Sequence, residues 1–287
     1  MNNKQKGTLY IILSAFFFAM MSLFVKLSGD LPAMEKSFFR NLIAMIVAGF
    51  ILVKNKEGFK YNRKDLPLLI LRSIFGTIGI LGNFYAVDHL LLADASILQK
   101  MNPFFVIAFS YFILKEKITK TQIGMIIIAF IGALFVVKPS FHNAQLFASI
   151  IAIIGAAGAG LAYTLVRLLS ERGVEKSKIV FFFSAFSCLV LLPFLILDYV
   201  PMSLTQFVYL LMAGLMAAGG QFAITNAYSY APGKEISIFD YSNIIFSAIA
   251  GFFVFGQIPD ILSFVGYSII FMIAVVNYRY NLSKIKE

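Results

Sequence analysis

Tryptophan is absent from the 287 residues, cysteine occurs once and histidine twice. Each shortage closes off a class of chemistry. The single thiol, Cys188, lies inside an apolar run and excludes an intrachain disulfide or a cysteine metal cluster. The histidines, His89 and His142, fall in expected loops far apart in sequence, so no metal site is predicted. No H-E-x-x-H, G-x-S-x-G or Walker sequence occurs, and Asp94 and Ser96 have no base near them in sequence. Catalytic residues, cofactor and metal are therefore all expected to be none, and the chain is not expected to be an enzyme. Charge is also scarce, 13% of residues against about a quarter in soluble globules. Without tryptophan, phenylalanine and tyrosine must supply the interfacial aromatics of any membrane span.

Apolar sequence fills the space. Hydrophobic residues make up 60% of the chain and its mean hydropathy is +0.86, which places it in the membrane class. The lipid bilayer is then its first partner. A net charge of +10 is spread between the apolar runs instead of forming one stripe, so no nucleic-acid partner is expected. Lys4 and Lys6 precede about 20 apolar residues, longer than the core of a cleaved signal, and this stretch is read as a first span.

Runs near 7–28, 33–53, 66–87, 91–114, 119–137, 144–169, 178–198, 204–229, 235–255 and 261–280 predict ten transmembrane helices. With the N-terminus cytoplasmic, the clusters Lys54–Lys64, Lys115–Lys120, Arg172–Lys178, Lys234 and Arg279–Lys286 all fall inside. Mainly Lys36 and Lys138 remain outside. That bias predicts a multi-pass protein of the cytoplasmic membrane with both termini cytoplasmic.

An internal echo divides the chain. Ser22-Leu23-Phe24-Val25-Lys26-Leu27 returns 141 residues later as Tyr163-Thr164-Leu165-Val166-Arg167-Leu168. The same offset lays Ser96-Ile97 on Ser237-Ile238 and Asn102 on Asn243. Two repeats are expected, 1–140 and 141–287, each of five helices. Five is odd, so the second copy enters from the opposite face and the repeat is inverted. Lys26 then stands at the outer end of the first span and Arg167 at the inner end of the sixth.

Glycines group on three spans: Gly76, Gly79 and Gly82; Gly155, Gly158 and Gly160; Gly214, Gly219 and Gly220. Such faces let helices approach closely in lipid, or border a cavity. Charges inside apolar spans are the stronger signal, because they are costly there and mark function. Lys100 lies about 10 Å from the outer end of the fourth span and Asp240 about 8 Å from the inner end of the ninth. A direct ion pair would need a tilted or unwound helix. Pro103 frees the carbonyl of Gln99 for a substrate, ion or water. Lys100, Gln99, Asn102, Asp240, Tyr241, Asn243, Arg40 and Tyr163 are the substrate-binding candidates. Asp240, Lys26 and Arg167 are candidates for coupling or gating, although Lys26 and Arg167 near span ends also fit snorkelling. Asn83, Asn226 and Gln221 fit either interhelical hydrogen bonding or cavity lining.

The stretch Ala93-Asp94-Ala95-Ser96 through Pro103 to Leu114-Lys115-Glu116-Lys117, followed by Gly124 and Gly132, resembles the drug/metabolite transporter superfamily and its EamA-domain transporters. Arg40 matches an arginine often found early in that family's second span. The second copy is weaker: Gln257 stands where Glu116 does, and Ile244 replaces the proline. The resemblance implies an all-α membrane protein of ten helices in two inverted five-helix repeats, with a central cavity and alternating access. Its implied function is secondary active transport, as an exporter, of a small polar metabolite: an amino acid or related zwitterion, or an organic anion. Asp240 would meet a substrate ammonium or a coupling proton. A non-transporting membrane sensor or assembly factor on the same fold is the alternative, and monomer and homodimer both stay open.

Overall fold

The computed structural model describes residues 3–56, 58–113, 115, 119–137, 145–230 and 237–286. Lys138, His142, Glu116, Lys117 and Lys234 lie outside the described residues. The apolar runs fold into helices α1 (Asn3–Leu27), α2 (Ala33–Lys54), α3 (Leu66–His89), α4 (Leu92–Gln99), α5 (Asn102–Ile113) and α6 (Lys120–Val137). A second series follows: α7 (Leu146–Glu171), α8 (Lys176–Leu197), α9 (Leu204–Tyr230), a 3₁₀ turn (Ser237–Tyr241), α10 (Ser242–Phe255) and α11 (Ile261–Lys286).

Six helices, α1, α2, α3, α7, α8 and α9, are long and apolar enough to cross a bilayer. The shorter apolar stretches Ile123–Val136, Phe239–Phe255 and Ile261–Asn277 accompany them. Many side chains on these helices face outward and are large and apolar, such as Phe50, Phe112, Leu197, Leu204 and Phe253. Exposed apolar area on that scale is tolerated in lipid and not in water.

Two predicted spans are not continuous helices. The fourth, expected over 91–114, breaks at Lys100 and Met101 between α4 and α5. Proline at 103 has no N–H to give the carbonyl of Gln99. The chain instead turns through tighter bonds, Lys100 N to Ile97 O at 3.0 Å, Met101 N to Leu98 O at 3.1 Å and Phe104 N to Met101 O at 3.1 Å. The ninth, expected over 235–255, opens as a 3₁₀ turn and becomes α-helical only at Ser242. No proline acts there. Ser242 Oγ donates to the carbonyl of Phe239 at 2.7 Å and ties down the turn.

Packing contacts come in matched sets. α1 packs along α9 as α7 packs along α3, α1 touches α10 as α7 touches α5, and α2 lies on α8 while α6 lies on α11. Exchanging the two halves of the chain leaves that pattern unchanged. The α3/α7 crossing is built from glycine. A Cβ on Gly82 would stand 2.8 Å from the Cα of Gly155, and one on Gly158 would stand 2.9 Å from the carbonyl of Phe75. Gly214, Gly219 and Gly220 likewise receive Ile43, Phe17 and Phe18. Helix α10 ends on Gly256 at φ 63°, where Gln257 N closes back to Gly251 O at 3.1 Å. The Gln257 side chain then accepts from Leu92 N at 3.0 Å and caps the start of α4. One break-bearing segment thereby anchors the other.

Candidate functional site

The two helix breaks meet. Lys100 Nζ donates to Asp240 Oδ2 at 2.6 Å, with side chains only 8% and 13% exposed. Unwinding at both sites supplies what two straight helices could not: each charge leaves its own helical level and reaches the other. Local dipoles favour both ions. Lys100 follows the carbonyl end of α4, where a cation is stabilised, and Asp240 precedes the N–H end of α10, where an anion is. The hydroxyl of Tyr241 donates to the carbonyl of Lys100 at 3.2 Å. These two residues stand at equivalent positions under the 141-residue offset, so the repeat touches itself at its own matching point.

Neighbouring candidates fix this junction. Ser96 Oγ donates to Ser247 Oγ at 2.7 Å, joining α4 to α10. Asn243 Nδ2 donates to the carbonyl of Ala15 at 2.7 Å, tying α10 to α1. Asn102 is half-buried, and its carbonyl sits 3.0 Å from where a Cβ of Gly160 would be. Asp94 belongs to the scaffold: it is buried and accepts from Tyr267 at 2.6 Å. Two polar atoms stay unused, Gln99 Oε1 and Asp240 Oδ1, both buried and without a hydrogen-bond partner. A buried acceptor in that state is costly unless something else donates to it.

Arg40 is buried at 4% exposure and belongs to a second cluster. Its Nη1 donates to Asn41 Oδ1 at 2.7 Å, and its guanidinium lies 6.0 Å from the centre of the Phe183 ring. The same ring carries Arg72, 3.7 Å from its centre. Arg72 was missed by the sequence reading. Its position, six residues inside an apolar span, carried the same signal that singled out Lys100. Gly76 makes room for it, since a Cβ there would stand 2.7 Å from Arg72 Nη1 and 2.8 Å from Phe183. Tyr163, on α7, lies near enough to Arg72, Arg40 and Asp240 to feel their charges.

Charge is also sealed at one end of the helices. Lys26 Nζ donates to the carbonyls of Val87 at 2.9 Å and Leu90 at 2.6 Å, capping the end of α3. Lys36, fully buried, pairs with Asp88 at 2.6 Å. Glu35 Oε2 accepts from Val200 N at 3.3 Å. Arg167, the repeat partner of Lys26, is not brought to either cluster. It bonds Glu171 on its own helix at 3.2 Å, with both side chains 53% exposed. Asn83 and Gln221 are half-buried, and Asn226 is exposed.

Comparison with known proteins follows the same division of the chain. A family model described as the EamA-like transporter family matches twice, over residues 5–138 and 146–279. The pseudopaline exporter CntI of Pseudomonas aeruginosa is 33% identical over 264 residues, covering 91% of this chain and 92% of that protein. Solute carrier family 35 member G1 of Homo sapiens is 26% identical, over 88% of this chain and 73% of its own length. An S-adenosylmethionine uptake transporter of Rickettsia prowazekii is 24% identical over 82% of this chain and 79% of its own length. A solved crystal structure superposes with a TM-score of 0.66 over 95% of this chain and 96% of its own, at 14% identity, a likeness of fold alone.

Proposed function

Because the chain belongs to the EamA-like transporter family, whose named relatives are membrane transporters and not enzymes, we propose that it is a secondary active exporter working by alternating access. Its cargo in this reading is a small polar metabolite, an amino acid-like zwitterion or an organic anion. The observation that carries the proposal is the Lys100–Asp240 pair, held where two interrupted helices meet. Interrupted helices expose backbone polar groups and dipole ends to a site inside the membrane, which suits binding and release of a charged solute. Lys100 receives the carboxylate of the cargo, and Asp240 receives its ammonium or the coupling proton. The unused Asp240 Oδ1 and Gln99 Oε1 supply further acceptors.

Two inverted repeats, 1–140 and 141–287, form the scaffold in this reading, supported by the echo at 141 residues and by contacts that survive exchange of the halves. The Lys and Arg bias sets both termini on the cytoplasmic side of the cytoplasmic membrane. The end closed by Lys26, Lys36 and Asp88 then faces outward, and Lys26 acts as its latch. Relatives named for export and for uptake both exist, and export is the direction of the more similar of the two, the pseudopaline exporter.

The test is flux. Purified protein in proteoliposomes is expected to move radiolabelled zwitterions or organic anions from a metabolite panel, with an imposed pH gradient changing the rate. Lys100→Ala and Asp240→Asn each abolish that flux while the protein elutes as a folded species. Full transport by both variants refutes the assignment of the site. Absence of any flux, together with a protein that co-purifies at fixed stoichiometry, would make the chain a sensor or assembly factor on a transporter scaffold.

A further inference from the structure

Arg40 and Arg72 share one aromatic ring and have no counter-ion among the described residues. Among the described residues, no carboxylate lies within 4.0 Å of either guanidinium. Both residues are more than nine-tenths buried. Arg40 Nε, Arg72 Nε and Arg72 Nη1 have no hydrogen-bond partner, and neither do the adjoining hydroxyls of Ser37 and Ser184. Burial of an ion costs several kcal/mol even after relaxation, and a second like charge beside it adds repulsion. The Phe183 face returns only part of that cost for the closer arginine. Buried guanidinium groups are ordinarily answered by carboxylate or phosphate, which they bind through two parallel N–H donors. Here the donors are present, with Gly76 and Phe183 against Arg72; Arg40 Nη1 is answered by Asn41 Oδ1, whereas Arg40 Nε, Arg72 Nε and Arg72 Nη1 stay unanswered.

The geometry points to Arg40 and Arg72 as an anion-binding subsite, separate from the Lys100–Asp240 pair, that takes a carboxylate or phosphate group of the cargo. Four helices build it: α2 brings Arg40, α3 brings Arg72, α8 brings Phe183 and Ser184, and α7 brings Tyr163. The charge of the two clusters then narrows the cargo. Together they hold three positive charges, Arg40, Arg72 and Lys100, against the single carboxylate of Asp240. Buried Glu35, Asp94 and Lys36 bond elsewhere, to Val200 N, Tyr267 and Asp88. A solute carrying two anionic groups fits that excess, one group on the arginine pair and one on Lys100. An ammonium on the same solute would meet Asp240. A neutral sugar or a simple cation would leave the arginines unanswered. Naming the occupant as cargo rests on the transport reading above, whereas the anion site itself does not.

Binding in detergent separates the two. Full-length purified protein is titrated with succinate, glutamate, inorganic phosphate and glycine, and thermal unfolding is followed. Succinate and glutamate are expected to raise Tm, and glycine to do so weakly or not at all. A shift by phosphate that matches succinate would identify a general oxyanion site, whereas selectivity for succinate would identify a carboxylate site. Arg72→Leu removes the anion-induced shift or weakens the apparent affinity at least tenfold, and Arg72→Lys retains part of it. The ligand-free Arg72→Leu protein keeps or raises its Tm, because an unanswered buried charge is gone; an arginine with a structural role would lower it. Arg40→Leu repeats the comparison should Arg72→Leu fail to fold. The subsite is overturned if none of the anions stabilises the wild type, or if the leucine variants respond to them as the wild type does. Anion binding without flux would preserve the subsite and reject transport. Flux unchanged in KM and rate in Arg72→Leu would preserve transport and reject the subsite.

Discussion

Removing either member of the Lys100–Asp240 pair should be far more costly than removing both. The ions are 2.6 Å apart. At an effective dielectric of about 20, that distance gives a gross attraction of about 6 kcal/mol. Desolvation takes several kcal/mol per ion, and Asp240 Oδ1 recovers none of it because it has no partner. The net worth of the pair against an apolar replacement is therefore near zero. Lys100→Met, however, leaves a buried carboxylate without its cation, and such breaks cost about 3–5 kcal/mol. Asp240→Leu leaves the ammonium in the same state. The double variant Lys100→Met/Asp240→Leu should return to within about 1 kcal/mol of the wild type, a coupling of several kcal/mol between the sites. Denaturant titration in mixed micelles measures all four corners of the cycle. Flux assays on the same proteins add the functional half: the double variant should be stable and inactive. Additive destabilisation by the single changes, with coupling below about 0.5 kcal/mol, would refute the pairing. A double variant that transports normally would refute its role.

Three further outcomes follow from the packing. Gly82→Ala should lose about 1–3 kcal/mol, since the new Cβ would stand 2.8 Å from both Gly155 Cα and the carbonyl of Ile151. Gly124→Ala, with nothing within 4 Å, should be neutral or gain up to about 1 kcal/mol of helix propensity; thermal unfolding distinguishes the two, and equal effects would contradict the glycine crossing. Tyr267→Phe should cost about 1 kcal/mol by withdrawing one hydrogen bond from buried Asp94, read as a lower Tm; an unchanged Tm would argue against that bond. Lys26→Met should loosen the end of α3 by uncapping Val87 and Leu90. A cysteine placed at Leu91, in a protein with Cys188→Ser, should then react faster with an impermeant maleimide; an unchanged rate would argue against a latch.

Long spans were legible because twenty apolar residues between charged turns have few other outcomes in a bilayer. The glycine faces were legible too, and Gly79, Gly82, Gly155 and Gly158 do meet at one crossing. Lys100 and Asp240 announced themselves as ions inside apolar runs. Their direct contact was harder to see, because helical rise put them at different depths. Pro103 was the clue that the first helix need not stay straight, whereas nothing in Ser237–Tyr241 advertised a 3₁₀ turn. Arg72 was overlooked for a different reason. Apart from Ser73 its neighbours are apolar, so its span read as a hydrophobic run, and its role depends on Arg40 and Phe183 from other helices. A site assembled across four helices leaves only its individual ions in the sequence.

The two clusters differ in a way that bears on how the protein could work. Lys100 and Asp240 neutralise each other, so the junction of the broken helices carries no unpaired charge. Arg40 and Arg72 are not neutralised by any described carboxylate and hold the interior at a cost that an anion would relieve. In the proposed reading, a cargo anion arriving at the arginines lowers that cost, and its second charge then competes with Asp240 for Lys100. Opening the ion pair frees the two half-helices that it joins, α5 and α10, which pack on α7 and α1 respectively. Occupancy of one cluster is thereby linked to the rigidity of the other, and the linkage works in both directions. If so, Lys100→Met/Asp240→Leu should bind succinate at the arginines about as well as the wild type does, because the arginine donors are intact. It should nevertheless fail to show the change in α5 and α10 exposure on binding that amide hydrogen exchange reports in the wild type. Loss of succinate binding in the double variant would mean that the clusters are one site, and the separate arginine subsite would fall.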